Sequence, residues 1–234
     1  METKKSELSL KEKKSLAKKI MVRFSLMPIV LGLLILLPAG TFNFWQFYLY
    51  LVVIVVPMTV VLIYFLRNDP KFIERRLRTK EKEKPQKIIQ LVFSLFFFAG
   101  YVVAGFDKRF GWSDVPLSLV LLSDLLIFLG YTMVFFVFKQ NSYASRIVEV
   151  EKNQEVIATG LYGYIRHPMY TGIIIMFIPT TIALGSWWGL IPVATIPVAL
   201  VLRILNEEEV LGKELPGYTD YCRKTRYRLI PFVW

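Results

Sequence analysis

The segment from Gly160 to Gly172 brings together side chains that can bind a charged ligand, and it holds the chain's single histidine, His167. Pro168 follows at once, and proline fits the first turn of an α-helix. An apolar run comes next, which predicts that His167 lies at the N-terminus of a helix. The free N–H groups and partial positive charge of such an end favour a carboxylate or a phosphate. The simpler interpretation is an interfacial helix cap, with Arg166 extended toward lipid headgroups.

Tyrosines surround this point in the sequence, at Tyr162, Tyr164 and Tyr170. Tyrosine is common where membrane helices meet water, so an aromatic belt explains these residues without a ligand. Their rings could also stack on a purine or lie against a cation, which the face of an aromatic ring attracts. The tyrosines by themselves leave both interpretations open.

A second polar cluster, Arg203 to Glu209, follows one further apolar block. Arg203 and Glu207 are four residues apart and share a helix face, whereas Glu208 points roughly 100° away. A direct ion pair is the simplest interpretation, although an acid that precedes a base is the better order on a helix. Three consecutive acids at the end of an apolar span are costly unless a cation needs them. Both clusters together would suit a zwitterionic, positively charged cofactor with an adenine.

Hydropathy indicates which elements hold these clusters. Of the 234 residues, 55% are hydrophobic, and the mean hydropathy of +0.48 is rare in a soluble domain. Apolar runs near the length of a bilayer predict an all-α, polytopic membrane bundle of five to six transmembrane helices. The runs occupy residues 21–38, 43–66, 88–106, 115–138, 169–184 and 186–204. The last two are short, contain three prolines and break at Gly185, so we expect a hairpin with one arm kinked or not fully spanning.

The net charge of +11 is distributed unevenly along the chain. Lysine and arginine number seven in residues 1–19 and nine in residues 67–87, whereas the connection near Thr41 and the turn at Gly185 have none. This alternation predicts six crossings, with both termini and a cofactor pocket on the cytoplasmic side. Membrane topology and anionic lipid headgroups explain the positive charge, so we expect no nucleic-acid partner. One cysteine, Cys222, and one histidine exclude an intrachain disulfide and argue against a metal site.

Three regions follow from this pattern. Residues 1–19 are expected to form a basic cytoplasmic arm, residues 20–138 to hold four transmembrane helices, and residues 139–234 to hold the catalytic, cofactor-binding region with the terminal hairpin. Residues 67–87 are predicted to be a solvated linker that is helical in part. Asp124 lies inside the fourth apolar run, where an ionisable side chain has either a pathway role or a helix-packing role.

Six segments carry a more specific pattern, in a fixed order and spacing. They are Asn141-Ser-Tyr-Ala-Ser145, Gln154-Glu-Val-Ile-Ala-Thr-Gly160, Arg166-His-Pro-Met-Tyr-Thr-Gly172, Arg203-Ile-Leu-Asn-Glu-Glu208, Leu215-Pro-Gly-Tyr218 and Arg226-Tyr-Arg-Leu-Ile-Pro231. The series resembles the isoprenylcysteine carboxyl methyltransferase family, which is related to the phospholipid N-methyltransferases. The resemblance covers residues 139–234, and the first four apolar runs are similar to the family in hydropathy alone.

The resemblance implies an integral-membrane methyltransferase that uses S-adenosylmethionine as its cofactor. The positions that it assigns to the adenosine side of the cofactor are Gln154, Glu155, Val156, Ile157 and Tyr162. The positions that it assigns to the methionine end are His167, Pro168, Met169 and Tyr170. It also implies that Glu207 faces the cofactor's amino group and that Arg203 binds the substrate carboxylate. Glu208 matches the second acid of the family's pair.

The favoured activity is carboxyl O-methylation of a prenylcysteine-like or other lipophilic acid, which would reach the site sideways from the membrane. A carboxylate needs no general base for this reaction, so the protein mainly has to position two ligands. N-methylation of phosphatidylethanolamine is an alternative, since Arg203 could equally hold a phosphate. A membrane sterol reductase that uses NADPH and a structural membrane protein are alternatives from other classes. The histidine-proline pair and the paired acids argue against the reductase, and the ordered motifs argue against a purely structural protein. Oligomeric state is left open.

Overall fold

A computed structural model describes residues 10–77, 81, 84–151 and 153–234, and these residues are mostly helical. The α-helices within them are α1 (Leu10–Ala39), α2 (Trp45–Asn68), α3 (Pro70–Leu77), α4 (Lys84–Phe110), α5 (Leu117–Gln140), α6 (Pro168–Phe177), α7 (Thr180–Ala183), α8 (Leu190–Val193), α9 (Ile196–Glu214) and α10 (Tyr218–Lys224). Residues Gly160–Gly163 form one turn of 3₁₀-helix. The part of the chain that the structure describes contains no β-strand. The prediction of an all-α fold is confirmed.

Five helical stretches are long and apolar enough to cross a membrane, namely Ile20–Ala39, Trp45–Asn68, Lys84–Phe110, Leu117–Gln140 and Leu190–Glu214. Because a helix satisfies its own backbone hydrogen bonds, these stretches can expose apolar side chains to lipid. A sixth apolar segment, Pro168–Ala183, is shorter. At 1.5 Å per residue it extends about 24 Å, less than the roughly 30 Å of the hydrocarbon core. The prediction of five to six membrane helices, with a short arm in the last hairpin, is confirmed.

The terminal hairpin returns to the side of the bundle from which it starts. Its first arm is interrupted between α6 and α7, and the chain turns at Gly185, whose φ of +76° lies in the left-handed region that favours glycine. The return arm comprises α8 and α9. His167, just before α6, contacts Glu208 in the last part of α9 at 3.1 Å. The two polar clusters of the sequence therefore lie at the same end of the bundle.

Two glycines allow α5 and α6 to pack closely. A Cβ atom added at Gly130 would lie 2.9 Å from the Gly172 carbonyl oxygen and 2.9 Å from the Met176 nitrogen. A Cβ atom added at Gly172 would lie 2.7 Å from a methyl carbon of Val134. Small residues at a membrane-helix interface let two backbones approach in this way. This contact fixes the position of α6, and α6 carries Met169 and Tyr170.

The start of α1, the end of α2, α3 and the end of α5 pack together at the same end of the bundle. Phe72 of α3 is buried between Phe65 and Phe138, with ring centroids 4.3 Å and 4.9 Å away. Ile20 and the partly buried Met169 belong to the same apolar cluster. The charged linker is therefore helical in part, as predicted, but α3 packs against the bundle instead of lying wholly in solvent.

Asp107 connects two loops at the opposite end of the bundle. Its carboxylate accepts hydrogen bonds from the backbone nitrogen and hydroxyl of Ser113 at 2.7 and 2.6 Å, and from the Ser186 hydroxyl at 2.5 Å. Ser113 lies in the connection between α4 and α5, and Ser186 lies in the turn of the terminal hairpin. This network holds the hairpin turn against the bundle.

Two further predictions concern residues 1–138, and the structure answers them only in part. Residues 10–19 of the expected basic arm continue α1 as a helix, and residues 1–9 lie outside the described residues. Asp124 is buried in α5, and neither carboxylate oxygen has a hydrogen-bond partner within the described residues. Its role stays a prediction.

Candidate active site

A cavity of about 840 Å³ lies where α6 begins and α9 ends. Its lining is drawn from residues between Asn141 and Tyr221, which include the loop after α5, the start of α6, the end of α9 and part of α10. The cavity is formed by the C-terminal region, where the sequence predicted a cofactor pocket.

The Tyr170 hydroxyl joins two charged side chains of α9 in the wall of this cavity. It donates a hydrogen bond to the Glu207 carboxylate at 2.5 Å and accepts one from Arg203 Nε at 2.8 Å. Arg203 also donates to the Gln86 side-chain oxygen at 2.8 Å and to the Arg146 carbonyl at 2.7 Å. Among the described residues, Tyr170 therefore bridges Arg203 and Glu207, and the direct ion pair considered for them is not formed.

The loop that holds Gln154 to Ile157 lines the cavity. The Gln154 side-chain oxygen accepts from the Glu151 nitrogen at 2.9 Å, which closes a turn. Glu155, Val156 and Ile157 follow in extended coil, and no backbone hydrogen bond of theirs is found within the described residues. Their N–H and C=O groups are therefore available to a ligand.

Tyr162 lies beside this loop and is held at both its hydroxyl and its carbonyl. The hydroxyl accepts a hydrogen bond from the Asn141 amide at 3.0 Å, and the carbonyl accepts one from the Tyr221 hydroxyl at 2.8 Å. Burial raises the pKa of Tyr162 to about 12, so the phenol keeps its proton at neutral pH. The ring forms a fixed aromatic wall of the cavity.

Glu208 ties the end of α9 to the start of α6 and to the C-terminal segment. Its carboxylate contacts Arg166 Nη1 at 3.0 Å, His167 Nε2 at 3.1 Å and Arg228 Nε at 2.8 Å. His167 is the N-cap of α6 and Pro168 its first residue, as the sequence predicted. Glu208 meets this helix end through the side chains of Arg166 and His167, and no side chain caps the N–H groups of α6 within the described residues.

Two polar atoms in the cavity lining are buried without a hydrogen-bond partner in the described part of the chain. They are the Tyr218 hydroxyl and Arg166 Nε. Burial, together with the nearby charge of Glu208, raises the pKa of Tyr218, so its hydroxyl remains a potential donor. A buried polar group without a partner costs about 1–3 kcal/mol. Such atoms mark positions where a bound ligand would supply the missing hydrogen bond.

A second cavity, of about 1030 Å³, lies on the other side of the Tyr170 wall. Its apolar lining residues, from α4, α6 and α9, are Ile89, Phe93, Ile173, Phe177, Ala199 and Leu200. Four residues line both cavities, and we call them the partition: Ser145, Met169, Tyr170 and Arg203. Ligands in the two cavities would face each other across the partition.

Ten of the twelve positions that the resemblance assigned line the first cavity. The ten are Gln154, Glu155, Val156, Ile157, Tyr162, His167, Met169, Tyr170, Arg203 and Glu207. Pro168 and Glu208 lie outside this lining. Glu208 points away from Glu207 because adjacent helical residues differ by roughly 100°, and it contacts three basic side chains. The roles of these residues as cofactor contacts stay predictions.

The structure also places residues at the site that the sequence did not single out. Asn141 and Tyr218 line the first cavity, and both lie in segments of the family-like series, which was the available signal. Arg76 lines the second cavity, and Gln86 binds Arg203. Both lie in the linker that was interpreted as solvated, where a run of charges gives no sign of a site.

Comparison with known proteins gives one positive result. No curated protein sequence matches the chain. Residues 119–215, from the start of α5 to the end of α9, match the family described as phospholipid methyltransferase. The matched residues include the whole partition and the first-cavity lining apart from Tyr218 and Tyr221. Over this stretch the chain is similar to the phospholipid methyltransferase family, whose members are membrane methyltransferases related to the isoprenylcysteine carboxyl methyltransferases.

Proposed function

We propose that the protein transfers a methyl group from S-adenosylmethionine, bound in the first cavity, to the carboxylate of a lipophilic acid bound in the second. The observation that carries this proposal is the partition. It brings Tyr170 and Arg203 to both cavities, while Glu207 lies on the first-cavity side alone. Two ligands with different chemistry can therefore approach one another at a single wall.

The chemistry of the first cavity fits the proposed cofactor. Glu207 offers a carboxylate to the amino group of the methionine end, and Tyr162 offers an aromatic face. The backbone of residues 155–157 has unused hydrogen-bonding groups that suit an adenine. The unpartnered Tyr218 hydroxyl and Arg166 Nε would gain partners from the ligand. When bound, the cofactor supplies a methyl group on a positively charged sulfur.

The second cavity suits a lipophilic acceptor whose acid group lies at the partition. Its apolar walls would bury a hydrocarbon chain, which stabilises binding by about 25 cal/mol for each Å² of apolar surface removed from water. Arg203 would bind the acid and orient it without taking its proton. Gln86, the Arg146 carbonyl and the Tyr170 hydroxyl hold the guanidinium in place. Such preorganisation is how a protein accelerates a reaction that needs mainly positioning.

The site and both termini are proposed to lie in the cytoplasm. The segments richest in Lys and Arg are residues 1–19 and 67–87. Their described parts, residues 10–19, 67–77 and 84–87, adjoin the end of the bundle where α6 begins. A test is labelling with a membrane-impermeant maleimide of Asp114→Cys and Lys224→Cys, each in a Cys222→Ser background. In intact cells only the Asp114→Cys protein should react. Labelling of Lys224→Cys alone would reverse the orientation.

N-methylation of an aminophospholipid is a second candidate, favoured by the description of the matched family. In that reaction Arg203 would hold a phosphate and the amine would face the partition. Incubation of the purified protein with methyl-labelled cofactor and a total lipid extract separates the two activities. A base-labile methyl ester supports the acid acceptor, and a methylated aminolipid supports the second candidate. Failure of the protein to bind either S-adenosylmethionine or its demethylated product would end both.

A further inference from the structure

The second cavity is lined by a cation that has no role in the proposed reaction. Arg76, on α3, lines this cavity together with Arg146 and Arg203. Its guanidinium lies 4.7 Å from the centre of the Phe138 ring. Its hydrogen bonds within the described residues both come from Nη1, to the Ser145 carbonyl at 3.0 Å and to Met169 Sδ at 3.9 Å. Nη2 and Nε therefore remain available to a ligand in the cavity.

Two carboxylates at this end of the bundle have partners of their own. Glu207 accepts from Tyr170, and Glu81 accepts from the Gln90 side chain and the Val148 nitrogen, each at 3.2 Å. Burial lowers the pKa of Arg76 to about 10, with further lowering from the charges of Arg146 and Arg203. The side chain is therefore still a cation at neutral pH. A cation in such surroundings is costly unless an anion accompanies it.

The position of Arg76 matters because of what it touches. Ser145 and Met169, its two hydrogen-bond partners, are members of the partition, and Arg203 is a third member. An anion between Arg76 and Arg203 would therefore lie against the wall that separates the two cavities. The rest of the second cavity is mostly apolar, so the ligand that suits it has an anionic head and a hydrocarbon chain.

We propose that Arg76 is a specificity-determining residue that binds the anionic head of the acceptor jointly with Arg203. This inference rests on the proposed function, which it deepens by naming a second residue that selects the acceptor. A carboxylate or a phosphate can supply the anion, since guanidinium groups form paired hydrogen bonds with both. Arg76 lies outside residues 119–215, so it belongs to the part of the chain that the family match does not cover.

The test uses three probes that share one hydrocarbon chain: dodecyl phosphate, dodecanoate and dodecanol. Purified full-length protein in neutral detergent is titrated with each probe, and the unfolding temperature is followed by tryptophan fluorescence. Both anions should stabilise the wild-type protein more strongly than dodecanol does. A stronger effect of the phosphate assigns a phosphate-bearing head, and equal effects assign a carboxylate. Equal stabilisation by dodecanol would overturn the proposal.

Variants separate the role of Arg76 from general effects on stability. Arg76→Gln should weaken the apparent affinity for the anionic probes by about tenfold or more, and Arg76→Lys should recover part of it. Arg23→Gln is the matched control, because Arg23 also contacts α3, at the Leu77 carbonyl, but does not line the cavity. Unchanged affinity in Arg76→Gln, or an equal loss in Arg23→Gln, would refute the role.

Binding of the demethylated cofactor distinguishes this inference from the proposed function. All three variants should bind S-adenosylhomocysteine as the wild type does, which also shows that they are folded. If the wild type does not bind it, the proposed function fails whatever the anionic probes do. If it binds while Arg76→Gln and Arg76→Lys leave the anion affinities unchanged, only the role of Arg76 fails.

Discussion

The Tyr170 hydroxyl lies 2.5 Å from the Glu207 carboxylate, although the two residues are 37 positions apart and on different helices. Tyr170 is in the first turn of α6, and Glu207 is near the end of α9. The contact closes the terminal hairpin at its polar end. The same hydroxyl accepts a hydrogen bond from Arg203. One phenol therefore connects the carboxylate proposed to bind the cofactor with the guanidinium proposed to bind the acceptor.

Tyr170→Phe removes this connection while keeping the aromatic ring. Glu207 and Arg203 would each lose a hydrogen-bond partner, and loss of a partner in a buried site costs about 1–3 kcal/mol. We expect the rate of methyl transfer to fall by about tenfold or more, measured with labelled cofactor and an S-farnesylcysteine acid. Tyr164→Phe is the control, since Tyr164 is 75% exposed in the same segment. Equal rates in the wild type and Tyr170→Phe would contradict the proposed positioning.

Glu207→Gln tests the cation site of the first cavity. The substitution keeps the shape of the side chain but removes its charge, so affinity for S-adenosylhomocysteine should fall by about tenfold or more. Isothermal titration in detergent measures this affinity. Glu209→Gln serves as the comparison, because Glu209 is exposed and paired with Lys213 four residues later. A loss of the same size in both variants would show that the effect is not specific to the cavity.

Glu208→Gln tests the contact among α6, α9 and the C-terminal segment. Arg166, His167 and Arg228 would lose their shared carboxylate. We expect the free energy of unfolding to fall by about 3 kcal/mol, the low end for breaking a buried pair, because the Arg228 side chain keeps 29% exposure. Thermal unfolding followed by tryptophan fluorescence provides the measurement. Asp220→Asn, which removes an exposed pair with Arg223, should have little effect; equal shifts would count against a special role for Glu208.

Gly130→Ala tests the close packing of α5 and α6. The new methyl group would lie 2.9 Å from two backbone atoms of α6, which cannot move without displacing Tyr170. Overpacking typically costs about 1–3 kcal/mol, so both thermal stability and methyl transfer should decrease. Gly32→Ala is the matched control, since its nearest neighbour would be a leucine methyl at 4.0 Å. Normal stability and activity of Gly130→Ala would show that the helices can separate.

Hydropathy and local pattern were sufficient to predict the apolar helices and the position of His167. Runs of apolar residues set the lengths of the spans, and Pro168 marked the first turn of α6. The sequence pattern did not predict which side chains contact one another in the site. Helical spacing placed Arg203 and Glu207 on one face, but only the packing of α6 against α9 inserts the Tyr170 hydroxyl between them.

The linker illustrates why part of the site was missed. Its many charges are typical of a solvated segment. A single sequence does not distinguish a charged residue that faces a cavity from one that faces water. Arg76 and Gln86 reach the second cavity and Arg203 only because α3 and α4 pack against the end of the bundle. The contact between Gln86 and Arg203 joins residues more than a hundred positions apart.

The partition separates a first cavity that lies almost wholly within the family-matched stretch from a second cavity that extends beyond it. Nearly all of the first cavity lies in the stretch shared with the methyltransferase family, whereas Arg76, Ile89 and Phe93 lie outside it. Neither Ile89 nor Phe93 lines the first cavity, so substitutions there would reshape the space for a hydrocarbon tail and leave the lining residues of the donor side unchanged. Relatives of this protein could thereby exchange one lipid for another while the donor side stays as it is.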